Sequence, residues 1–210
     1  MLKGFVNIII YILFPSILPL FFTTNTSSKE YMFYLLISNL LLTIYFTFKY
    51  KKDLVKDFKS FKLSNFKTII IYWIIGFILM MLANYVINYI IIPNGLSNNE
   101  SGNRELLFNN KIIYSILLCI IIPLLEEISF RLEFKKNIKN KYLFLFISSF
   151  SFALLHILST TKLIELFYII PYLILGLTFS KIYIKTNNII SNVLAHQIHN
   201  TISVIIILFF

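Results

Sequence analysis

Residues 112–131 read Ile-Ile-Tyr-Ser-Ile-Leu-Leu-Cys-Ile-Ile-Ile-Pro-Leu-Leu-Glu-Glu-Ile-Ser-Phe-Arg. The stretch is apolar over the length of about 20 residues that a membrane-spanning helix needs. It nevertheless carries Glu126 and Glu127 side by side and ends at Arg131. A charged residue at the centre of such a helix costs roughly 2.5–3.5 kcal/mol on insertion scales, so intramembrane acids usually serve a function. The pattern therefore predicts a spanning helix that carries part of a functional site.

The composition of the 210-residue chain, 58% hydrophobic and 13% charged, is that of a membrane protein, since soluble domains have about 25% charged residues. Unpaired backbone groups are not tolerated in lipid, so apolar stretches of this length predict helices. We therefore expect an all-α, polytopic transmembrane bundle of about seven spans, at approximately 5–22, 31–48, 68–92, 112–134, 142–159, 163–184 and 189–210. The first is expected to be a retained signal anchor, because it shows no small-residue cleavage pattern.

The net charge of +10 comes from lysine clusters beside apolar stretches, which favours membrane topology over nucleic-acid binding. With seven alternating spans, one side of the membrane holds Lys3, the seven lysines of 49–67, the four of 135–141, Lys181 and Lys185. The other side holds only Lys29, Arg104, Lys111 and Lys162. The positive-inside rule then predicts a cytoplasmic amino terminus and an external carboxyl terminus, and we expect an integral protein of a bacterial cell membrane.

Two regions are predicted along the chain. Residues 1–110 form an amino-terminal membrane region of about three spans, with a basic segment at 49–67 expected to lie on the inner leaflet as an amphipathic helix. The Asn-, Ser- and Gly-rich stretch 93–110 is expected to be a mobile external loop. Residues 111–210 form a second region of about four spans that holds the unusual polar residues. Cys119 is the only cysteine, so no intrachain disulfide partner is expected.

Three of the last four predicted spans carry polar residues, and each set has an alternative explanation. Glu127 and Arg131 are one helical turn apart and can pair. Alternatively, a solvated helix end is formed by Glu126, Glu127, Arg131 and Glu133. His156 could be a packed core histidine. The last span has one polar stripe that must face a protein interior or a wet cavity, or that only bonds to another helix: Asn188, Asn192, His196, His199, Asn200 and Ser203.

Together these residues meet the requirements for hydrolysis by an activated water molecule. Glu126, shielded from bulk water, would be the general base, and His156 could share or relay its proton. His196 and Asn200 could donate hydrogen bonds to the oxyanion of a tetrahedral intermediate. Glu126, His156 and His196 would equally suit a catalytic zinc ion with an open water position. The spacing does not decide between these two chemistries.

Three motifs in order resemble those of the CPBP family, the CAAX-processing and bacteriocin-processing intramembrane proteases that are also called the Abi family: Glu126-Glu127-x-x-x-Arg131, Phe152-x-x-x-His156 and His196-x-x-x-Asn200. The resemblance covers roughly residues 111–205. One departure is Leu132, which follows the arginine where the family usually has glycine.

The resemblance implies that Glu126 activates water with the assistance of His156, and that His196 and Asn200 stabilise the oxyanion. Glu127 and Arg131 would shape and support the site. The family includes members described as metalloproteases and as metal-free glutamate proteases, so zinc stays open as a cofactor. His199 matches no motif position, and its expected role is packing or hydrogen bonding.

We therefore expect an intramembrane endopeptidase that hydrolyses a peptide bond of a peptide or membrane-protein substrate, in bacteriocin processing or self-immunity. The lipid bilayer and that substrate are the expected partners, with no nucleic acid. One alternative is a non-catalytic immunity or scaffold protein of the same family. A small transporter is a further alternative, which the absence of a visible inverted repeat in the sequence disfavours.

Overall fold

The computed structural model describes residues 6–15 and 28–209, and within them the chain is helical without any strand. These described residues form nine helices: α1 Val6–Pro15, α2 Ser28–Lys49, α3 Lys51–Ser60, α4 Leu63–Ile91, α5 Asn98–Asn109, α6 Lys111–Asn137, α7 Lys141–Ile157, α8 Leu163–Thr186 and α9 Ile189–Phe209. The prediction of an all-α membrane bundle is confirmed.

Five of these helices are long and apolar enough to cross a membrane, namely α2, α4, α6, α8 and α9. Helices α1 and α7 are apolar but shorter, at 10–17 residues. Each predicted span thus contains a helix, while the count of seven membrane crossings stays a prediction. Residues 16–22 of the first predicted span lie outside the described residues.

The expected loop at 93–110 is wrong over most of its length, because α5 occupies Asn98–Asn109. The Ser97 hydroxyl accepts a hydrogen bond of 3.1 Å from the Glu100 backbone N–H, which caps the first turn. Glu100 and Arg104 then form an ion pair of 2.8 Å one turn apart, and Leu107 is fully buried. A polar composition with a cap and one apolar anchor forms a surface helix here rather than a loop.

The basic segment predicted at 49–67 is only partly an amphipathic surface helix. It is α3 as far as Ser60, and α4 already begins at Leu63, five residues before the predicted span. Helix α3 docks on the start of α9, where Asp57 Oδ2 accepts a bond of 2.7 Å from the Ile189 backbone N–H. Burial raises the pKa of the Asp57 carboxyl group. The hydrogen bond from the Ile189 N–H acts to lower that pKa, but it is the smaller effect. The capped end of α9 is therefore fixed by a side chain from another helix.

Helix α8 lies at the centre of the bundle and packs against α4, α7 and α9. Its contact with α7 is close because Gly176 has no side chain: a Cβ atom there would lie 2.7 Å from the backbone oxygen of Ser149. Hydroxyl groups bond across the same contact, with Ser149 Oγ donating to Ser180 Oγ at 3.1 Å. Small residues that let two backbones approach are the usual basis of helix packing in membranes.

Replacing Gly176 with alanine should destabilise the protein by about 1–3 kcal/mol, the usual cost of overpacking a close contact. The added methyl group must displace the α7 backbone, which cannot rotate away as a side chain can. Thermal unfolding of the purified protein in detergent measures the effect. Gly102→Ala is the matched control, because no atom lies within 4 Å of a Cβ at that position. Equal unfolding temperatures for the two variants would contradict the prediction.

Candidate active site

A buried ion pair between Glu127 and Arg131 lies at the centre of the polar residues. Both side chains are 0% exposed, and Arg131 Nε is 3.3 Å from Glu127 Oε2. The Arg131 guanidinium carbon also lies 4.7 Å from the centre of the Phe152 ring, a cation–π contact. Arg131 Nη2 donates to the Gly176 carbonyl oxygen at 3.3 Å. The predicted pair is confirmed, and the solvated helix end is not what the structure shows.

The pair orients His196, which comes from α9. His196 Nδ1 is 2.9 Å from Glu127 Oε1, and Asn192 Nδ2 donates to Glu127 Oε2 at 3.1 Å. A carboxylate paired with arginine is ionised and only accepts hydrogen bonds, so we assign the proton of this contact to Nδ1 of the imidazole. The His196 ring stacks on Phe179 with 4.6 Å between centroids. Nε2 is consequently the ring atom left to react.

The carboxylate of Glu126 has different partners from that of Glu127. It is 5% exposed, and its Oε1 accepts a hydrogen bond of 3.0 Å from the Tyr11 hydroxyl on α1. Its Oε2 lies 3.6 Å from His196 Nε2, which is too long for a direct hydrogen bond. One carboxylate oxygen is therefore held in place by Tyr11, and the other can accept a hydrogen bond from a small molecule bound beside it.

All four residues predicted to be catalytic line one cavity of about 290 Å³. Glu126 comes from α6, His156 from the end of α7, and His196 and Asn200 from adjacent turns of α9. Tyr11 lines the same space. The lining also has an apolar part and further polar residues. The apolar residues are Leu118, Ile122, Phe152, Leu155, Leu175, Val204 and Ile207, and the further polar ones are Asn99, Glu100, Asn103, His199 and Ser203. Polar groups that converge on a concave space beside apolar walls are typical of a ligand or active site.

His156 presents one defined nitrogen to the cavity. Its Nδ1 is 2.9 Å from the backbone oxygen of Phe152, and a carbonyl oxygen can only accept, so Nδ1 carries the proton in the neutral ring. Nε2 is then a free acceptor. The ring lies 4.6 Å from the centre of the Tyr172 ring on α8, which fixes its orientation.

The side chain of Asn200 donates one hydrogen bond within the protein, and Pro123 explains why that bond forms. Its Nδ2 donates to the Leu118 carbonyl oxygen at 2.8 Å. In the π-helical turn Leu117–Ile121 the next backbone N–H, from Ile122, goes to Leu117, and Pro123 has no N–H to give. Asn200 thus satisfies a carbonyl group that the proline leaves open. Its second N–H and its side-chain oxygen remain for the cavity.

Glu127 and Arg131 do not line the cavity. They hold His196 from its far side, which fits the supporting role expected for them.

The side chains are not arranged as a set of zinc ligands. Within residues 6–15 and 28–209, no group of three or more His, Cys, Asp or Glu side chains could hold a metal ion. We therefore derive no chemical step through a metal. The catalytic roles of the individual residues stay predictions.

Two site residues were not singled out in the sequence. Tyr11 belongs to α1, where nothing marks it among the other apolar residues, and its partner is 115 positions away. Asn192 was part of the polar stripe of the last span, but its position gave no indication that its amide would bond to both Glu127 and the Phe179 carbonyl oxygen. Its spacing of one turn from His196 was the available signal.

Replacing Arg131 with methionine should cost about 3–5 kcal/mol of stability, because it leaves the buried Glu127 carboxylate without its charge partner. The double change Arg131→Met with Glu127→Gln should recover most of this loss, since no unpaired charge remains. Thermal unfolding in detergent of the two single variants and the double variant measures the coupling. A double variant as unstable as the sum of the two single changes would contradict the pairing.

Comparison with known proteins places these residues in a family. The model described as "Type II CAAX prenyl endopeptidase Rce1-like" matches residues 108–202, a range that includes all six predicted site residues. UPF0177 protein YxdF of Lactococcus lactis subsp. lactis (strain IL1403) is 30% identical over 163 residues, which cover 75% of this chain and 86% of that protein.

A second relative, an uncharacterized protein of Mycoplasma capricolum subsp. capricolum (strain California kid), is 29% identical over 214 residues, covering 93% of this chain and 62% of the relative. No solved structure matches the chain significantly. The family match covers the region in which the three motifs lie. The chain therefore belongs to the Rce1-like group of the CPBP (Abi) family of membrane proteins.

Proposed function

We propose that this protein is an intramembrane endopeptidase that hydrolyses a peptide bond in a peptide or membrane-protein substrate. The observation that carries the proposal is the meeting of Glu126, His156, His196 and Asn200 around one cavity. The matched family is named for a prenyl endopeptidase, which supports the same class of reaction. The chain is an integral membrane protein, so the substrate bond would be reached within or beside the bilayer.

The reaction begins with a water molecule between Glu126 and His156. Glu126 Oε2 removes one proton from the water, while the free Nε2 of His156 accepts a hydrogen bond from the other. The water oxygen then bonds to the carbonyl carbon of the substrate. When the carbon–nitrogen bond breaks, Glu126 returns the proton to the leaving amine. Tyr11 keeps Oε1 of the carboxylate fixed throughout, so the basic oxygen always faces the cavity.

The negative charge that develops on the substrate oxygen would be stabilised from α9. The remaining N–H of the Asn200 amide is one donor. Nε2 of His196 is the other when the ring carries a second proton in addition to the one on Nδ1 and is an imidazolium. Glu127, held by Arg131, stabilises that imidazolium through Nδ1, at 2.9 Å. A preorganised pair of donors needs little rearrangement in the transition state, which is the main benefit of such a site.

A cytoplasmic amino terminus in a bacterial cell membrane fits the lysine distribution, and it is part of the proposal. A role in bacteriocin processing or self-immunity is also part of the proposal.

A non-catalytic immunity or scaffold protein would use the same fold to bind without hydrolysis. The position of Glu126 on the cavity favours the enzyme, because its Oε2, 3.6 Å from His196 Nε2, can accept a hydrogen bond from a water molecule in that cavity.

Glu126→Gln should lower peptide cleavage by about 10²–10⁴-fold, the usual contribution of a general base, without loss of membrane abundance. Purified protein in proteoliposomes is incubated with a library of synthetic soluble and transmembrane peptides, and products are identified by mass spectrometry. Glu105→Gln is the matched control, because Glu105 is exposed.

Full cleavage by the Glu126→Gln variant would contradict the proposed role of Glu126. Survival of a protective effect in cells that carry this variant would favour the non-catalytic alternative. A parallel incubation with a chelator distinguishes the metal-free chemistry from zinc chemistry, since loss of wild-type cleavage in that arm alone would point to a metal.

Tyr11→Phe should lower kcat about tenfold with little change in KM. A hydrogen bond to a charged group contributes about 1.5–3 kcal/mol, and part of this would be recovered by rotation of the carboxylate. Steady-state kinetics on a cleaved library peptide measures both constants. Tyr142→Phe, at a side chain that is 70% exposed, is the control. An unchanged kcat would show that α1 does not position the base.

A further inference from the structure

A second cavity of about 280 Å³ adjoins the first, between α4, α5, α8 and α9. The two cavities have six lining residues in common, Glu100, Tyr172, Leu175, His199, Ser203 and Ile207. They are therefore separated by a single layer of side chains. Nothing in the mechanism described above uses this second space.

One part of the lining of the second cavity is apolar and adaptable. It includes Phe77, Met80, Met81, Pro171, Leu175 and Ile206. Methionine side chains are flexible and polarisable, so they accommodate apolar groups of different shape. The polar lining residues come instead from α5 and its preceding cap, and from the last two turns of α4: Ser97, Glu100, Arg104, Asn84 and Asn88. Such a division suits a ligand with an apolar end and a polar end.

His199 lies in the layer between the cavities and has no hydrogen bond to hold it. The residue is 7% exposed, and its Nδ1 is buried without a partner. Its ring centre lies 6.0 Å from that of Phe77 and 6.3 Å from that of Phe179. Nε2 is not among the buried unpartnered atoms, so it is the nitrogen on the cavity surface.

A buried N–H without an acceptor is rarer than an unpaired acceptor, which assigns the ring proton of His199 to Nε2. This N–H then faces a cavity beside the proposed reaction centre, three residues from His196. A buried polar group is retained at a cost unless something pairs with it. Nε2 reaches the cavity, so a molecule bound there can accept a hydrogen bond from it.

We propose that the second cavity receives an apolar side chain of the peptide substrate next to the scissile bond, and that His199 Nε2 donates to a backbone carbonyl oxygen of the same substrate. This assignment rests on the proposed endopeptidase function. Pockets for drug-sized ligands span about 300–1,000 Å³, so a space of about 280 Å³ suits one bulky side chain rather than a whole lipid. His199 is thus a specificity-determining residue that positions the substrate.

Ile206→Trp tests the cavity, because the larger ring projects from its wall. The matched control is Ile205→Trp on the adjacent residue, which lines neither cavity and is 45% exposed against 42% for Ile206. Cleavage is measured in proteoliposomes with a peptide library that carries every amino acid at each position near the bond. The Ile206 variant should lose at least tenfold in kcat/KM for peptides with a bulky apolar residue at one position, and should keep those with alanine there.

His199→Phe tests the hydrogen bond, because it keeps a ring against Phe77 and removes both nitrogens. It should raise KM about tenfold, since a tenfold change corresponds to about 1.4 kcal/mol, and should leave kcat within about threefold. His199→Gln places an amide nitrogen near the position of Nε2 and should restore KM to within about threefold of the wild type. A merely structural histidine would not be rescued by glutamine and would lower the unfolding temperature instead.

Two further outcomes distinguish an error in the subsite from an error in the proposed function. If the wild type cleaves peptides but the Ile206 and Ile205 variants show the same residue preference, the subsite is wrong and the endopeptidase function stands. If the correctly folded wild type cleaves no peptide in the library, the proposed function is contradicted and the subsite falls with it.

Discussion

The burial of the Arg131 guanidinium is the constraint on which the rest of the bundle depends. A charge with no access to water must find its partners inside the protein, or its desolvation destabilises the fold by several kcal/mol. The structure supplies those partners from different helices: Glu127 on α6, the Phe152 ring on α7 and the Gly176 carbonyl oxygen on α8. Because Glu127 in turn holds His196, α9 is fixed to the same point.

Two identical adjacent residues acquire different roles from this arrangement. Successive residues of a helix point about 100° apart, so Glu127 is directed into the layer of arginine, asparagine and histidine while Glu126 is directed into the cavity. The first has its oxygens occupied by ionic and hydrogen-bonding partners. The second has one oxygen held by Tyr11 and the other on the cavity, 3.6 Å from His196 Nε2. Environment rather than residue type separates the structural acid from the candidate base, a division also found in enzymes that use paired carboxylates.

The sequence was sufficient for the class of fold and for most of the site because both depend on strong local signals. Apolar length identifies spanning helices, and charged residues within them are rare enough to single out Glu126, Arg131 and His196. The sequence predicted less at positions where contacts between distant residues determine the structure. The loop expected at 93–110 is a helix because Leu107 finds a buried position, and a tyrosine in an apolar helix gives no indication that its hydroxyl meets a carboxylate 115 residues away.

That distant contact has a consequence for biosynthesis. Tyr11 is inserted among the first residues, Glu126 follows 115 positions later, and the imidazole that pairs with Glu127 comes 69 positions after its partner. Contacts of such long sequence separation form late, because the intervening chain must be ordered first. The polar side chains that line the cavity therefore meet only when α9 packs against α6, so the helices synthesised earlier carry an incomplete candidate site until then.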